Sequence, residues 1–493
     1  MTTHVENTQN QPGLRRGAIG LREVLFQSIT AMAPGAAIAA SIPSGAGFAG
    51  GALPLAVLVA LVACLFTALS VAELAKHLPA AGSVATYTSR GLHPTLGFLV
   101  AWGYLFVEAL VPTLLLLQLG FTVASTFNGY PQSLWWPWAI LGAVIVGVAG
   151  FWGARVSATL GTILGAFEIL VFLVLAVLLI VKAGGHNTLS VFTSTHTPAA
   201  HLGIAGVIAG SVYTVLAFAG FEAAAPMAEE TKNPKKTIRR AVVGATLGIG
   251  AVYIFTTYAA SVFVGPDKFS GFGTTGALSW EGIARASFGI FWIFVFLAIV
   301  NSTIANANAG ANVSTRTAFA LARVGVLPRA LARVHPVHRS PTLAVGIQFV
   351  IAVVVTLALG FAFTPTTAFV LVATIIVVVI VSVYIIVNVA CIGFFMRRRD
   401  EFNWFLHLVS PILGILVFVP ALLTSAGIPV FSFVATLSPP ISYAGIIVGV
   451  WMLLGIAYLI YLWRNHRQRV VDTGLVHLDI EPEARPETAE LPS

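Results

Sequence analysis

Long apolar runs, each close to 20 residues and each closed by a short polar or basic break, set the pattern of this chain. A run of that length spans a bilayer core of about 30 Å when it winds as an α-helix rising about 1.5 Å per residue. Twelve such runs are predicted. They are Leu21 to Pro43, Leu53 to Leu78, Leu96 to Ala124, Trp135 to Phe151, Val156 to Val181 and Leu202 to Ala228. The second six are Ala241 to Val264, Phe288 to Ala311 with a helical continuation to Val326, Leu343 to Phe361, Ala368 to Phe395, Leu408 to Ala426 and Tyr443 to Trp463. The short alternating segments of a transmembrane β-barrel are not the pattern here. The expected class is an all-α membrane protein with 12 transmembrane helices.

Two runs break their own pattern. The first carries SITAMAPGAAIAASIP, in which Pro34 removes a backbone donor and Gly35 relaxes the chain. The sixth carries FAGFEAAAP, with Gly220 and Glu222 at a depth where lipid tolerates neither. Taken alone, the first reads equally well as a proline kink packed through small residues, and Glu222 as a buried carboxylate filling a polar gap. Paired interruptions at similar depth in two halves of a chain point instead to a transporter binding site.

Charge supports the layout. Of the 26 Lys and Arg, all but Lys182, Lys268 and Arg285 fall in the two tails or in every second loop, which the positive-inside rule assigns to the cytoplasm together with both termini. No cleavable signal peptide is visible in the polar stretch Met1 to Gly20. The stretch from Val470 to Ser493 is acidic and proline-containing and is expected to be a disordered cytoplasmic tail. Composition agrees: 58% hydrophobic, 9% charged, mean hydropathy +0.93. The net charge of +8 belongs to basic loops at one membrane face, with membrane lipids and no nucleic acid as the implied partner. Cys64 and Cys391 lie in apolar runs and form no disulfide framework.

Few acids enter the apolar runs. Glu108, Glu168 and Glu222 lie well inside, and Glu73 lies near the end of the second run. Each is either a hydrogen-bonded helix contact or a group that takes up a proton, a cation or an amine. The eighth run, IVNSTIANANAGANVST, offers the hydroxyls of Ser302 and Thr303, which suit sodium as oxygen ligands or other helices as hydrogen-bonding partners. Phe218 and Phe221 flank the sixth-run break and are expected as pocket wall or gate, with Tyr87, Trp102, Tyr104 and Trp292 as further candidates. Trp135, Trp136, Trp138 and Trp463 read as interface anchors. All eleven histidines fall in tails, loops or run ends, and no HExxH pair or buried Cys–His couple appears, so no enzyme, metal site or cofactor is expected. No repeated filter or charged ring marks a channel.

The sixth-run stretch FAGFEAAAPMAEETKNPKKTIRRA resembles the signature of the amino acid–polyamine–organocation (APC) transporters. Leu78 to Leu105, Gly153 to Glu168 and Asn312 to Pro336 resemble that family's loop between the second and third spans, its fifth span, and its eighth span with the following loop. The resemblance covers about residues 20 to 465.

The resemblance implies a five-plus-five inverted repeat of the LeuT-like kind: repeat one about 21–182, repeat two about 202–395, and additional helices about 408–463. It places a transporter domain at 21–465 between a tail at 1–20 and one at 470–493. It implies secondary active transport of amino acids by alternating access, with proton-coupled uptake across the cytoplasmic membrane as the leading expectation. Exchange, polyamine or organic amine carriage, and sodium-coupled symport are the alternatives. In relatives the substrate meets exposed backbone of the two broken helices. The matching positions here are Ala33, Pro34, Gly35, Ala36 and Ala37 in the first span, and Phe218, Ala219, Gly220, Phe221 and Glu222 in the sixth. Glu222 matches a glutamate implicated in proton linkage. Glu168 falls near a lysine that replaces a sodium ion in some proton-coupled relatives. The coupling candidates are therefore Glu222, Glu168, Glu108, Ser302 and Thr303. Many amino acid transporters of the family carry a Gly-Ser-Gly-like motif in the first break; this chain has Pro34-Gly35-Ala36-Ala37-Ile38, a more apolar wall.

Overall fold

The computed structural model describes residues 20–78, 83–127, 130–152, 157–335, 340–430, 434 and 437–473. The expected tails at 1–19 and 474–493 lie outside the described residues, as do parts of the stretches Leu78 to Leu105, Gly153 to Glu168 and Asn312 to Pro336. Every regular element among the described residues is a helix, and twelve of the helical stretches are long and apolar enough to cross a membrane. They are Leu21–Ser41, Pro43–His77, Pro94–Thr126, Gln132–Phe151, Leu164–His186 and Ile204–Ala225, then Lys235–Val264, Trp280–Arg323, Thr342–Phe363, Pro365–Met396, Phe405–Ala426 and Ile441–Asn465. These are spans one to twelve below.

Local chemistry explains the ends that differ from expectation. The seventh helix runs Pro234–Val264 and so starts before the apolar run at Ala241. Proline is suited to the first helical position, where no N–H is needed, and Asn233 adopts the left-handed conformation that precedes it. The basic turns that follow, through Arg240, belong to the same helix. Residues 470–473 of the expected disordered tail are helical instead. A short helix, Arg467–Thr473, folds back with Val470 buried against Phe98, Leu321 and Leu462, and the Arg469 guanidinium donates to the Gly325 carbonyl at 3.0 Å.

The core is built by close backbone approach, since lipid offers apolar side chains no reason to leave it. Span two packs on span seven with Leu61 against Gly250, where an added Cβ would fall 2.4 Å from Leu61 Cδ1. Trp135, expected at the interface, is 3% exposed instead. Its ring covers Gly360 and Gly120, which lack the side chains that would exclude it. Span ten is the most enclosed, its helix buried from Ala368 to Phe395 on nearly every side. Trp102 stacks on Trp451 at 4.8 Å, and each indole donates to the other's carbonyl, which pins span three to span twelve.

Candidate functional site

Both interrupted spans break where the sequence places the breaks, and the two breaks touch. In span one the helix Leu21–Ala31 ends, Ala33 turns left-handed at φ 45° and ψ 65°, and Pro34–Ala36 starts the second half. The chain then widens into a π-helical turn at Ala37–Ser41, a form often met at functional sites. In span six the helix Ile204–Phe218 stops, Gly220 takes φ +108°, and the chain resumes as a 3-10 helix from Phe221 to Glu230. Only glycine accepts that φ without strain. Space demands glycine too, because a Cβ on Gly220 would lie 2.8 Å from the carbonyl carbon and oxygen of Ala31.

Side chains from distant spans satisfy backbone freed by the breaks, as a polar group buried at this depth requires. The Ser28 hydroxyl donates to the Phe221 carbonyl at 2.7 Å and accepts from the Ala224 N–H at 3.1 Å. The Tyr253 hydroxyl of span seven lies 3.1 Å from the Met32 carbonyl and 3.0 Å from the Ala217 carbonyl, one from each break, and shares its proton between them. Gln118 of span three donates to the Ala36 carbonyl at 2.9 Å, and the Trp280 indole donates to the Ile38 carbonyl at 2.7 Å.

Glu222 follows directly on the second break and is 2% exposed. Its carboxylate accepts from the Tyr384 hydroxyl at 2.8 Å, the Tyr104 hydroxyl at 3.2 Å and the Gly220 N–H at 3.2 Å. No Lys, Arg or His pairs with it among the described residues. Glu108 lies one turn beyond Tyr104 on span three and neighbours the same phenol. Phe221 leans on the Tyr384 ring at 4.9 Å, and Phe218 meets the Tyr253 ring edge-on at 5.3 Å, so both flanking phenylalanines line the break and are fully buried.

A second polar centre forms on the first break. Glu168 of span five is 3% exposed and points at Gly35, where an added Cβ would fall 2.7 Å from its Oε2. The same position lies 3.1 Å from the Ala298 carbonyl oxygen and 3.1 Å from Ser302 Cβ. Ser302 and the backbone of Gly35 are the polar neighbours of Glu168, and its Oε2 and the Ser302 hydroxyl are both buried. Thr303 turns its hydroxyl onto the Val300 carbonyl of its own helix at 2.8 Å.

The structure therefore brings Ala33 to Ala37, Phe218 to Glu222, Glu108, Glu168 and Ser302 to the two breaks, and gives Thr303 a local bond. Of the aromatic candidates, Tyr104 reaches the site. Trp102 serves the contact with span twelve, Trp292 lies beneath the Arg285 guanidinium at 3.9 Å, and Tyr87 is buried in the short helix Ser83–Gly91. Sequence reasoning passed over Ser28, Gln118, Tyr253 and Tyr384. A lone phenol or carboxamide in an apolar span is the signal each of the last three carries.

Two touching helix breaks, each facing a buried carboxylate, inside a twelve-span helical bundle define a membrane carrier of small polar solutes. A family model described as amino acid permease matches residues 19–464, and the chain belongs to that family. It is 24% identical over 435 residues to the low-affinity putrescine importer PlaP of Escherichia coli K12, covering 86% of this chain and 89% of that protein. It is 26% identical over 353 residues to the branched-chain amino acid permease BcaP of Bacillus subtilis, covering 66% and 72%. It is 26% identical over 338 residues to the mouse cationic amino acid transporter 4, covering 63% and 50%.

Proposed function

We propose that this protein imports amino acids or organic amines across the cytoplasmic membrane by proton-coupled alternating access, with both termini in the cytoplasm. Substrate sits against Ala33 to Ala37 and Phe218 to Glu222. The observation that carries this reading is Glu222: a buried carboxylate at a helix break, held by two phenols and one backbone N–H, with no cation beside it among the described residues. A charge so placed is costly, and a proton or a bound ammonium relieves the cost. Proton uptake at Glu222 and substrate seating at the adjoining break then favour one another, which is the requirement for coupling.

One observation favours an amine over a neutral amino acid. Glu168 and Glu222 face different halves of the paired break, and neither has a cationic partner among the described residues. Two separated carboxylates suit a substrate with more than one amine, and a putrescine importer is among the relatives.

The test is uptake into proteoliposomes by wild type and Glu222→Gln, without sodium, using labelled amino acids and diamines. An inward proton gradient drives accumulation in the wild type and fails in Glu222→Gln. Wild-type flux that ignores the gradient but appears on preloading identifies an exchanger. Flux restored only by sodium moves coupling to Ser302 and the Glu168 centre.

A further inference from the structure

A cluster of charge occupies the basic end of the bundle, where the end of span two meets the starts of spans seven and eleven. Glu73 is 3% exposed at its centre. Arg239 lies 3.4 Å from its Oε1, and Lys76 and His407 lie 3.8 and 3.6 Å from its Oε2. Glu401 is paired with His77. These groups line an open cavity of about 470 Å³ together with Lys235. That volume is within the range of small-molecule sites.

The cavity wants an acceptor. Its fixed charges are three cations, Lys76, Lys235 and Arg239, against two carboxylates, Glu73 and Glu401. Both carboxylates are engaged, whereas Lys235 has no ion pair among the described residues. His407 is 3% exposed, stacked on Phe395 at 3.4 Å, and its Nδ1 accepts the Asn403 N–H at 2.9 Å. That bond leaves the proton on Nε2, which points at Glu73 Oε2 3.6 Å away. An unpaired ammonium in a cavity with more fixed cations than carboxylates fits an acceptor-only anion such as phosphate. Lys236, Arg240, Arg397, Arg398 and Arg399, close in sequence to lining residues, are exposed and outnumber the exposed carboxylate of Asp400 beside them.

The apolar neighbours decide what carries the phosphate. Trp404 and Phe405, next in sequence to the cavity residue Asn403, are 67% and 50% exposed, and Met396 is 61% exposed. Exposed aromatic side chains at a span end mark the headgroup level of a bilayer. Basic pockets between spans at that level bind anionic headgroups. We propose that this cavity seats the phosphate of an anionic phospholipid whose chains lie along Met396, Trp404 and Phe405.

The test uses the full chain in nanodiscs of phosphatidylcholine alone or mixed with phosphatidylglycerol, reading the thermal midpoint and the phosphatidylglycerol retained in native mass spectra. The wild type is expected to unfold at a higher temperature in the mixture and to retain phosphatidylglycerol. Lys235→Glu is expected to lose most of both effects and Lys235→Gln part of them, while Lys182→Glu, outside the cavity, keeps them. Inorganic phosphate and glycerol 3-phosphate are expected to leave the midpoint unchanged. Full retention of the phosphatidylglycerol effect in both Lys235 variants overturns the site. An equal rise with soluble glycerol 3-phosphate overturns the lipid as its source.

Discussion

Ser28 and Phe221 stand 193 positions apart and are joined by a 2.7 Å hydrogen bond from hydroxyl to carbonyl. The same hydroxyl accepts the Ala224 N–H at 3.1 Å, so one small side chain in the first half of span one serves two backbone groups just past the break in span six. Ser28→Ala leaves both without that partner in a site closed to water. The expected loss is about 1–3 kcal/mol of stability for an unsatisfied buried group. Thermal unfolding in detergent reads it, and a midpoint unchanged from wild type would show that other groups satisfy this backbone.

Gly220 carries the stricter demand. Its φ of +108° disfavours any side chain, and a Cβ would meet the Ala31 carbonyl at 2.8 Å. Gly220→Ala is expected to push the two breaks apart and to lose substrate binding more completely than Ser28→Ala. Equilibrium binding of the transported substrate is the measurement. Wild-type affinity in Gly220→Ala would mean that the breaks tolerate separation.

Much of the site was legible because its determinants are local. Pro34 and Gly220 act on their own backbone, and an acid in an apolar run is conspicuous, so both breaks and the carboxylates Glu108, Glu168 and Glu222 could be read from a single sequence. Ser28, Tyr253 and Tyr384 could not, because each is defined by a partner far along the chain: Tyr384 by Glu222, Tyr253 by Met32 and Ala217. Trp135 misleads for a related reason. Its place at a span end suits an interface, and only the packing of Gly120 and Gly360 shows that it is buried. The first turns of span seven carry basic residues and so fall outside any hydropathy window, although Asn233 and Pro234 mark the helix start.

The two phenols on Glu222 are not equivalent. Tyr384 donates at 2.8 Å from an enclosed helix, and Tyr104 at 3.2 Å from a half-buried one. A hydrogen bond to a charged group contributes about 1.5–3 kcal/mol. Tyr384→Phe is therefore expected to lower uptake by about tenfold or more, since ~1.4 kcal/mol is tenfold. Tyr104→Phe is expected to cost less. Initial rates in proteoliposomes decide it, and the reverse order would move the main partner of Glu222 to span three.

Glu168 is the residue that most separates the candidate mechanisms. Its Oε2 and the Ser302 Cβ crowd the position of Gly35 beside the Ala298 carbonyl, and Ser302 and the Gly35 backbone are its polar neighbours. Four oxygen-bearing or backbone groups converge there on the first break, which suits a proton, a sodium ion or a substrate amine. Glu168→Gln keeps the shape and removes the charge. If the carboxylate meets an amine, the variant loses diamine uptake by about tenfold or more, equivalent to at least ~1.4 kcal/mol, and neutral amino acid uptake far less. If it carries the driving ion, both substrates lose gradient-driven accumulation while exchange between preloaded and external substrate persists. Ser302→Ala separates the ions, because a sodium site loses a hydroxyl ligand and its sodium dependence shifts, whereas a proton site has no sodium dependence to shift. Unchanged selectivity and unchanged coupling in Glu168→Gln would reduce Glu168 to a helix contact and leave Glu222 as the sole coupling carboxylate of the paired break.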